Sequence, residues 1–91
     1  MAVTVRIPTS LRNLTAGAAE VSVEGANVAE VLKSLDIAYK GLGNRLFDDH
    51  GGLRRFVNVF VADEDIRFLD GVSTPVAEGQ AVSIIPAVAG G

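Results

Sequence analysis

The sequence predicts an α+β domain in which a mixed sheet of four to five strands packs on one main helix. Short segments of alternating apolar and polar residues, typical of half-buried strands, occur in both halves of the chain. A single segment between them has the apolar spacing of an amphipathic helix. The 91 residues suffice for one domain with one modest core. Strands grouped around one helix favour a two-layer packing.

The N-terminal part predicts a hairpin. Residues 3–7 alternate between apolar and polar side chains, and Pro8 ends this strand because it cannot donate a ladder hydrogen bond. The polar segment 9–17 ends in glycine and predicts a turn or short loop. A second alternating strand follows at Glu20–Glu24.

The main helix begins after Asn27, a favourable N-cap, and Glu30 completes the spacing of a capping box. Gly41 and Gly43 are stop signals for this helix. The apolar stripe that faces the sheet consists of Val28, Val31, Leu32 and Leu35. One further helical turn is predicted from Leu42, Leu46 and Phe47.

The second half of the chain predicts the remaining strands. In order, we expect a loop at 48–52, the most β-prone strand at 56–61, a polar turn at 62–65, a short return strand at 66–69, a loop at 70–80 and the last strand at 81–85. The last strand should lie centrally, beside the first, so that it can cover the helix. A strand paired on both sides would be a rigid mount for whatever follows Pro86.

Composition excludes several classes of function. The net charge of −3 argues against general nucleic-acid binding and fits a protein that docks on a basic partner surface. The absence of cysteine excludes disulfides, thiolate metal sites and cysteine nucleophiles. No apolar run approaches the length of a membrane span or a secretory leader, so no membrane association and a cytoplasmic location are expected.

The last residues predict a thin arm attached to a folded body. We divide the chain into a domain at 1–86 and a flexible tail at 87–91, which ends Gly-Gly and should be mobile in the free protein. Two terminal glycines arise by chance on the order of once in a hundred sequences, so they are informative only beside a suitable domain. The carboxylate of Gly91 is the candidate functional group. Gly90, Ala89 and Val88 would keep the arm slim enough for a narrow channel.

The strand pattern also suggests a docking surface. If Val57, Val59 and Val61 face the helix, the outward residues Phe56, Phe60 and Ile85 could form an apolar patch near the tail. A one-residue slip in register would invert this assignment. Cover of the patch by the preceding loop is the other alternative.

Other polar groups have weaker claims to function. Residues 63–65 predict a solvated hairpin turn, with a recognition role as the alternative. His50 beside Asp48 and Asp49 suggests a surface loop more than a metal site, so no metal is expected. No catalytic set of side chains and no phosphate-binding glycine loop is recognisable.

The whole chain resembles the ubiquitin-like sulfur carrier proteins of the ThiS/MoaD family. Residues 78–91 match the family's run of an acidic-Gly-polar turn, final strand, proline and small-residue tail. Residues 55–61 and 63–68 are most similar to the branch that serves cysteine biosynthesis from O-phosphoserine. Pro86-Ala87 stands where molybdopterin-synthase subunits more often have two prolines. The resemblance implies a β-grasp fold.

The resemblance also implies a role as a protein co-substrate with no bound cofactor. An ATP-dependent activating enzyme of the ThiF/MoeB type would adenylate Gly91, and a sulfurtransferase would supply sulfur for a C-terminal thiocarboxylate. A cysteine synthase that uses pyridoxal phosphate would consume it, and a metalloprotease would release cysteine. The alternatives are a molybdopterin-synthase small subunit, a thiamin sulfur carrier and, in another class, a protein modifier or interaction module.

Overall fold

The computed structural model describes residues 2–48, 52–54 and 57–86. A five-stranded mixed sheet packs against one main helix, as the sequence predicts. The strands are β1 (Ala2–Arg6), β2 (Glu20–Glu24), β3 (Val57–Val61), β4 (Glu64–Asp65) and β5 (Ala81–Pro86), and the helices are α1 (Val28–Ala38) and α2 (Leu42–Leu46).

The last strand lies at the centre of the sheet, which confirms its predicted position. The strand order is β2-β1-β5-β3-β4. β5 runs parallel to β1 and antiparallel to β3, and the outer pairs β1–β2 and β3–β4 are antiparallel. Val82 and Ile84 of β5 face the helix layer and are buried. The N-terminal hairpin is confirmed by the register of β1 and β2.

The start of α1 has the predicted capping chemistry with one difference in detail. The Asn27 side chain accepts a hydrogen bond from the Glu30 N–H at 2.9 Å. The Glu30 carboxylate reaches back to the N–H of Ala26, one residue earlier than in a standard capping box, at 3.0 Å. The four stripe residues are all buried against the sheet: Val28, Val31, Leu32 and Leu35.

The predicted second helical turn forms α2, which closes one end of the core. Leu42 and Leu46 are fully buried, whereas Phe47 follows the helix in an extended conformation and is half-buried. The two helices are joined by a hydrogen bond from the N–H of Gly43 to the Asp36 carboxylate at 2.8 Å.

The prediction of a turn or short loop at 9–17 is wrong. A 3-10 helix spans Thr9–Thr15. Two of its side chains, Leu11 and Thr15, are buried, and the Thr15 hydroxyl donates to the carbonyl of Ala18 at 2.9 Å. The helix ends at Ala16, whose φ of 56° is left-handed. The mostly polar composition hid the two apolar residues, Leu11 and Leu14, that pack this segment on the core.

The prediction of a return strand at 66–69 is also wrong, because the chain turns back earlier. Ala62 and Asp63 both have positive φ (50° and 72°) and form a two-residue hairpin turn. β4 therefore pairs at once with β3. The Asp65 carboxylate then accepts the Arg67 N–H at 2.9 Å. This local bond competes with strand pairing and starts a 3-10 helix at Ile66–Phe68.

Several predicted features fall outside the described residues. They are the loop residues 49–51, the pair Arg55 and Phe56 at the start of the β-prone run, and the tail at 87–91.

The expected loop at 70–80 contains a short 3-10 helix at Gly71–Ser73.

Gly25 at the junction of β2 and α1 should not tolerate a side chain. A Cβ at this position would lie 2.6 Å from the backbone nitrogen of Val31, and that backbone cannot move without disturbing the first turn of α1. We expect Gly25→Ala to lower the free energy of unfolding by about 2 kcal/mol or more, the cost of overpacking. Denaturant titration measures the change.

Gly52→Ala is the matched control, because the nearest atom to a Cβ there, among the described residues, would be an Asp48 carboxylate oxygen at 3.8 Å. Equal stability losses for the two variants would contradict the close-approach explanation.

Candidate functional site

The end of β5 is the part of the described fold that leads into the C-terminal residues. Pro86 is opposite Val57, and Ile85 is opposite Asn58, in the antiparallel register with β3. On the other side β1 runs parallel, so both strands run towards the same end of the sheet, but β1 pairs with β5 only as far as Ser83. The last three residues of β5 are therefore paired with β3 alone.

The four tail residues singled out from the sequence lie outside the described residues. They are Val88, Ala89, Gly90 and Gly91. Their assignment as the activated group and its recognition segment therefore stays a prediction. The structure describes the platform from which they emerge.

One row of side chains crosses all five strands on the face opposite the helices. The register pairs Glu20 with Arg6, Arg6 with Ser83, Ser83 with Phe60 and Phe60 with Asp65. Paired residues project to the same face of a sheet. The row is charged at both ends, whereas Ser83 and Phe60 in its middle are uncharged.

The proposed apolar patch has the side-chain parity assumed from the sequence. Val59 and Val61 are buried, whereas Ile85 is 47% exposed and Phe60 is half-buried. Ile85 and Phe60 are diagonal neighbours, because Ile85 pairs with Asn58 and Phe60 with Ser83. Phe56 lies outside the described residues. The patch as described consists of Phe60 and Ile85, with Asn58 and Ser83 between them, and its role in docking stays a prediction.

Two surface features were missed at the sequence level. Phe68 is 84% exposed in the 3-10 helix that replaces the predicted strand. A groove of about 420 Å³ lies beside Ile85 and Pro86, and it is lined on its other side by Arg6 and Arg12. The sequence does not predict the groove, because the pattern at 9–17 indicates a turn or short loop and not the 3-10 helix that carries Arg12.

Asp65 and Arg67 form a structural ion pair. The Asp65 side chain is 8% exposed and lies 2.7 Å from the Arg67 guanidinium. The hydrogen bonds from the Arg67 side chain and N–H hold the pKa of Asp65 below its ordinary value of 3.8. Of the residues 63–65 predicted as a turn, Asp65 thus stabilises the fold through its ion pair with Arg67. The turn itself is formed by Ala62 and Asp63.

The loop near His50 is only partly described. The Asp48 N–H donates to the Gly52 carbonyl at 2.8 Å, and the Gly52 N–H donates to the Asp48 carboxylate at 3.1 Å. Asp49 and His50 lie outside the described residues. Within 2–48, 52–54 and 57–86, no group of three or more acidic, histidine or cysteine side chains could hold a metal ion.

None of the helices in the described part of the chain is long and apolar enough to cross a membrane.

Comparison with known families identifies a match over nearly the whole chain. The model of the ThiS family matches residues 5–91. The sulfur carrier protein CysO of Mycobacterium tuberculosis is 48% identical over 93 aligned positions, which cover all of both chains. The small archaeal modifier protein 3 of Haloferax volcanii is 43% identical over 68 positions, which cover 75% of this chain and 73% of the modifier.

Solved structures agree with these sequence matches. CysO in the BexX/CysO complex of Amycolatopsis orientalis superposes with a TM-score of 0.91 at 44% identity, over 98% of this chain and 99% of the other. The β-grasp fold expected from the resemblance is thereby confirmed.

The Asp65–Arg67 pair predicts a pH-dependent contribution to stability. A carboxylate whose folded pKa is lowered stabilises the fold above its unfolded pKa, and this stabilisation is lost as the pH falls through the folded value. We expect Asp65→Asn to destabilise the protein at pH 7, and its deficit relative to the native chain should shrink as the pH falls below about 4. Urea titrations at a series of pH values measure the deficit.

Glu64→Gln is the control, since Glu64 is exposed and adjacent in β4. A deficit for Asp65→Asn that stays constant from neutral to acidic pH would exclude the ion pair as its source.

Proposed function

The chain belongs to the ThiS family, and we propose that it is a sulfur carrier whose functional group is the C-terminal carboxylate of Gly91. The observation that carries this proposal is the extent of the family match, which runs to residue 91. The alignment with CysO of M. tuberculosis also covers both chains completely. The proposed role is that of a protein co-substrate and not of an enzyme.

The chemistry requires that a poor electrophile be activated. The Gly91 carboxylate would attack the α-phosphorus of ATP in an activating enzyme of the ThiF/MoeB type, and pyrophosphate would leave. Hydrosulfide delivered by a sulfurtransferase would then add to the acyl carbon and expel AMP. The products are a C-terminal thiocarboxylate, AMP and one proton. ATP is bound and used by the activating enzyme, so the carrier needs no cofactor of its own.

The composition of the tail supports entry into another enzyme's active site. Five residues follow β5 and would span about 16 Å if fully extended. Gly90 and Gly91 have no Cβ, and Ala89 and Val88 are slim. Ordering such an arm costs about 1–2 kcal/mol per residue. Contacts made by the folded body must offset this cost.

The patch around Ile85 is our candidate for those body contacts. We assign Phe56, Phe60 and Ile85 to the surface that docks on the activating enzyme. Ile85 is 47% exposed, and it immediately precedes the last residue of β5. A partner that covers Ile85 is therefore positioned to receive the chain that follows.

The similarity to CysO supports cysteine biosynthesis from O-phosphoserine as the pathway. A cysteine synthase that uses pyridoxal phosphate would then accept the thiocarboxylate sulfur, and a metalloprotease would release cysteine and restore Gly91. CysO of A. orientalis has been solved in a complex with BexX, which supports docking of this class of carrier on other proteins.

A protein modifier is the second candidate function, favoured by the 43% identity to small archaeal modifier protein 3. In that case the activated Gly91 carbonyl would be transferred to a lysine amine of a target protein, with loss of AMP. The two functions share adenylation and differ in the nucleophile that follows.

Intact-mass measurement tests the sulfur carrier directly. After incubation with the cognate activating enzyme, ATP and a sulfide source, we expect the mass to rise by the difference between sulfur and oxygen. Deletion of Gly91 should abolish this shift and leave the thermal unfolding unchanged, because the deleted residue follows the last strand.

An intact mass that never changes with an activating enzyme from the same organism would refute the sulfur carrier. Recovery of Gly91 in isopeptide linkage to lysines, without thiocarboxylate, would favour the modifier instead.

The docking patch predicts a specific kinetic effect of Ile85→Ser. Loss of a buried apolar contact in the complex should raise the KM for the carrier in ATP-dependent activation about tenfold and leave kcat unchanged. Ile37→Ser is the matched control, because Ile37 is 71% exposed on α1 in the helix layer. Equal effects of the two substitutions would exclude the sheet face as the docking surface.

A further inference from the structure

We propose that the groove between the end of β5 and the 3-10 helix Thr9–Thr15 receives an acidic segment of the activating enzyme, with Arg12 as the principal anchor. This inference rests on the proposed function and specifies how the partner is recognised. Three observations support an acidic segment as the ligand of this groove: the position of the groove, the charge of its lining, and the hydrogen bonds and ion pairs of the Arg12 side chain.

The groove lies where the chain leaves the folded body. Because β1 and β5 are parallel, Arg6 at the end of β1 lies beside Ser83, three residues before the end of β5. The 3-10 helix follows β1 after two residues and brings Arg12 to the same end of the sheet as Pro86. A segment bound here would contact the carrier at the base of 87–91.

Arg12 is held in place by its scaffold. Its Nε–H donates to the carbonyl of Ile7 at 3.0 Å, and Ile7 is 2% exposed. Its own carbonyl accepts the Gly17 N–H at 2.7 Å and the Thr15 hydroxyl at 3.2 Å. The residue is half-buried. The guanidinium is thus oriented by one N–H, and its terminal N–H groups make no hydrogen bond to the residues that the structure describes, so they can bind a ligand.

The charge of Arg12 is not neutralised within the described part of the chain. Over those residues, ion pairs join Asp65 to Arg67 at 2.7 Å and Arg6 to Glu20 at 3.7 Å, and none includes Arg12. The Arg6–Glu20 pair is exposed and long, so it leaves most of the charge of Arg6 available.

Charge complementarity selects the occupant. The charged side chains that line the groove are Arg6 and Arg12, both positive, on a chain whose net charge is −3. Carboxylates are the groups that guanidinium pairs with in two parallel hydrogen bonds. Ile85 and Pro86 add an apolar wall. The groove therefore fits an acidic segment that also carries an apolar side chain.

Steady-state activation kinetics test the inference. Pyrophosphate release by the activating enzyme would be measured against carrier concentration for the native chain, Arg12→Gln, Arg6→Gln and the control Arg45→Gln, each at several salt concentrations. All three variants lose one positive charge, and Arg45 lies on α2 in the helix layer. Thermal unfolding verifies that each variant is folded.

For Arg12→Gln we expect a KM roughly fivefold above the native value at low salt, with kcat unchanged, and a smaller rise for Arg6→Gln. The differences should diminish as salt rises. Arg6→Gln keeps the test valid should Arg12→Gln disturb the fold, because Arg6 makes only an exposed pair.

Native KM values for both groove variants, or an equal rise for Arg45→Gln, would overturn the groove assignment while leaving the carrier function intact. A lowered KM for Arg12→Gln would also overturn it and would point to the chain's own carboxylate as the occupant. Failure of the native chain to be activated at all would reject the proposed function, and this inference with it.

Discussion

The parallel pairing of β1 with β5 is the constraint on which the rest of the structure depends. It places the last strand between two neighbours, with Val82 and Ile84 directed into the core. β3 can then pair only with the other edge of β5, and β4 closes that side after two residues. The helix layer covers one face of this sheet and leaves the other face, with Ile85, available to partners.

The distribution of charge gives two parts of the surface different properties. At the β4 edge of the sheet, Asp65 and Arg67 neutralise each other and stabilise a turn. In the groove beside the end of β5, Arg12 has its Nε committed to a backbone carbonyl and forms no ion pair with the described residues. A chain with a net charge of −3 thus presents a cationic group beside the end of β5. Average charge, which predicts attraction to a basic partner surface, does not describe this local site.

The sequence predicted the elements whose side chains repeat with a clear period. The helical spacing of apolar residues between Val28 and Leu35 predicts the buried stripe of α1. Alternation predicts which side chains of β3 and β5 are buried, such as Val59 and Ile84. The errors occur where single hydrogen bonds decide the conformation. The Asp65 carboxylate ends β4, and the Thr15 hydroxyl closes the first 3-10 helix. Neither hydrogen bond is signalled by a periodic pattern in the sequence. The Arg12 groove depends on the 3-10 helix Thr9–Thr15, so the sequence pattern does not predict it either.

The central position of β5 has a consequence for synthesis of the protein. Every other strand precedes β5 in the sequence, yet the two halves of the sheet meet only through it. A nascent chain that has not yet exposed residues 81–86 can form hairpins but cannot join them into one sheet. Folding therefore requires that residues 81–86 have been synthesised, and contacts between distant segments make it slower than in a helical bundle. Under the proposed function, a product truncated before residue 81 would lack both the stable body and Gly91, so an activating enzyme would encounter Gly91 only on a folded domain.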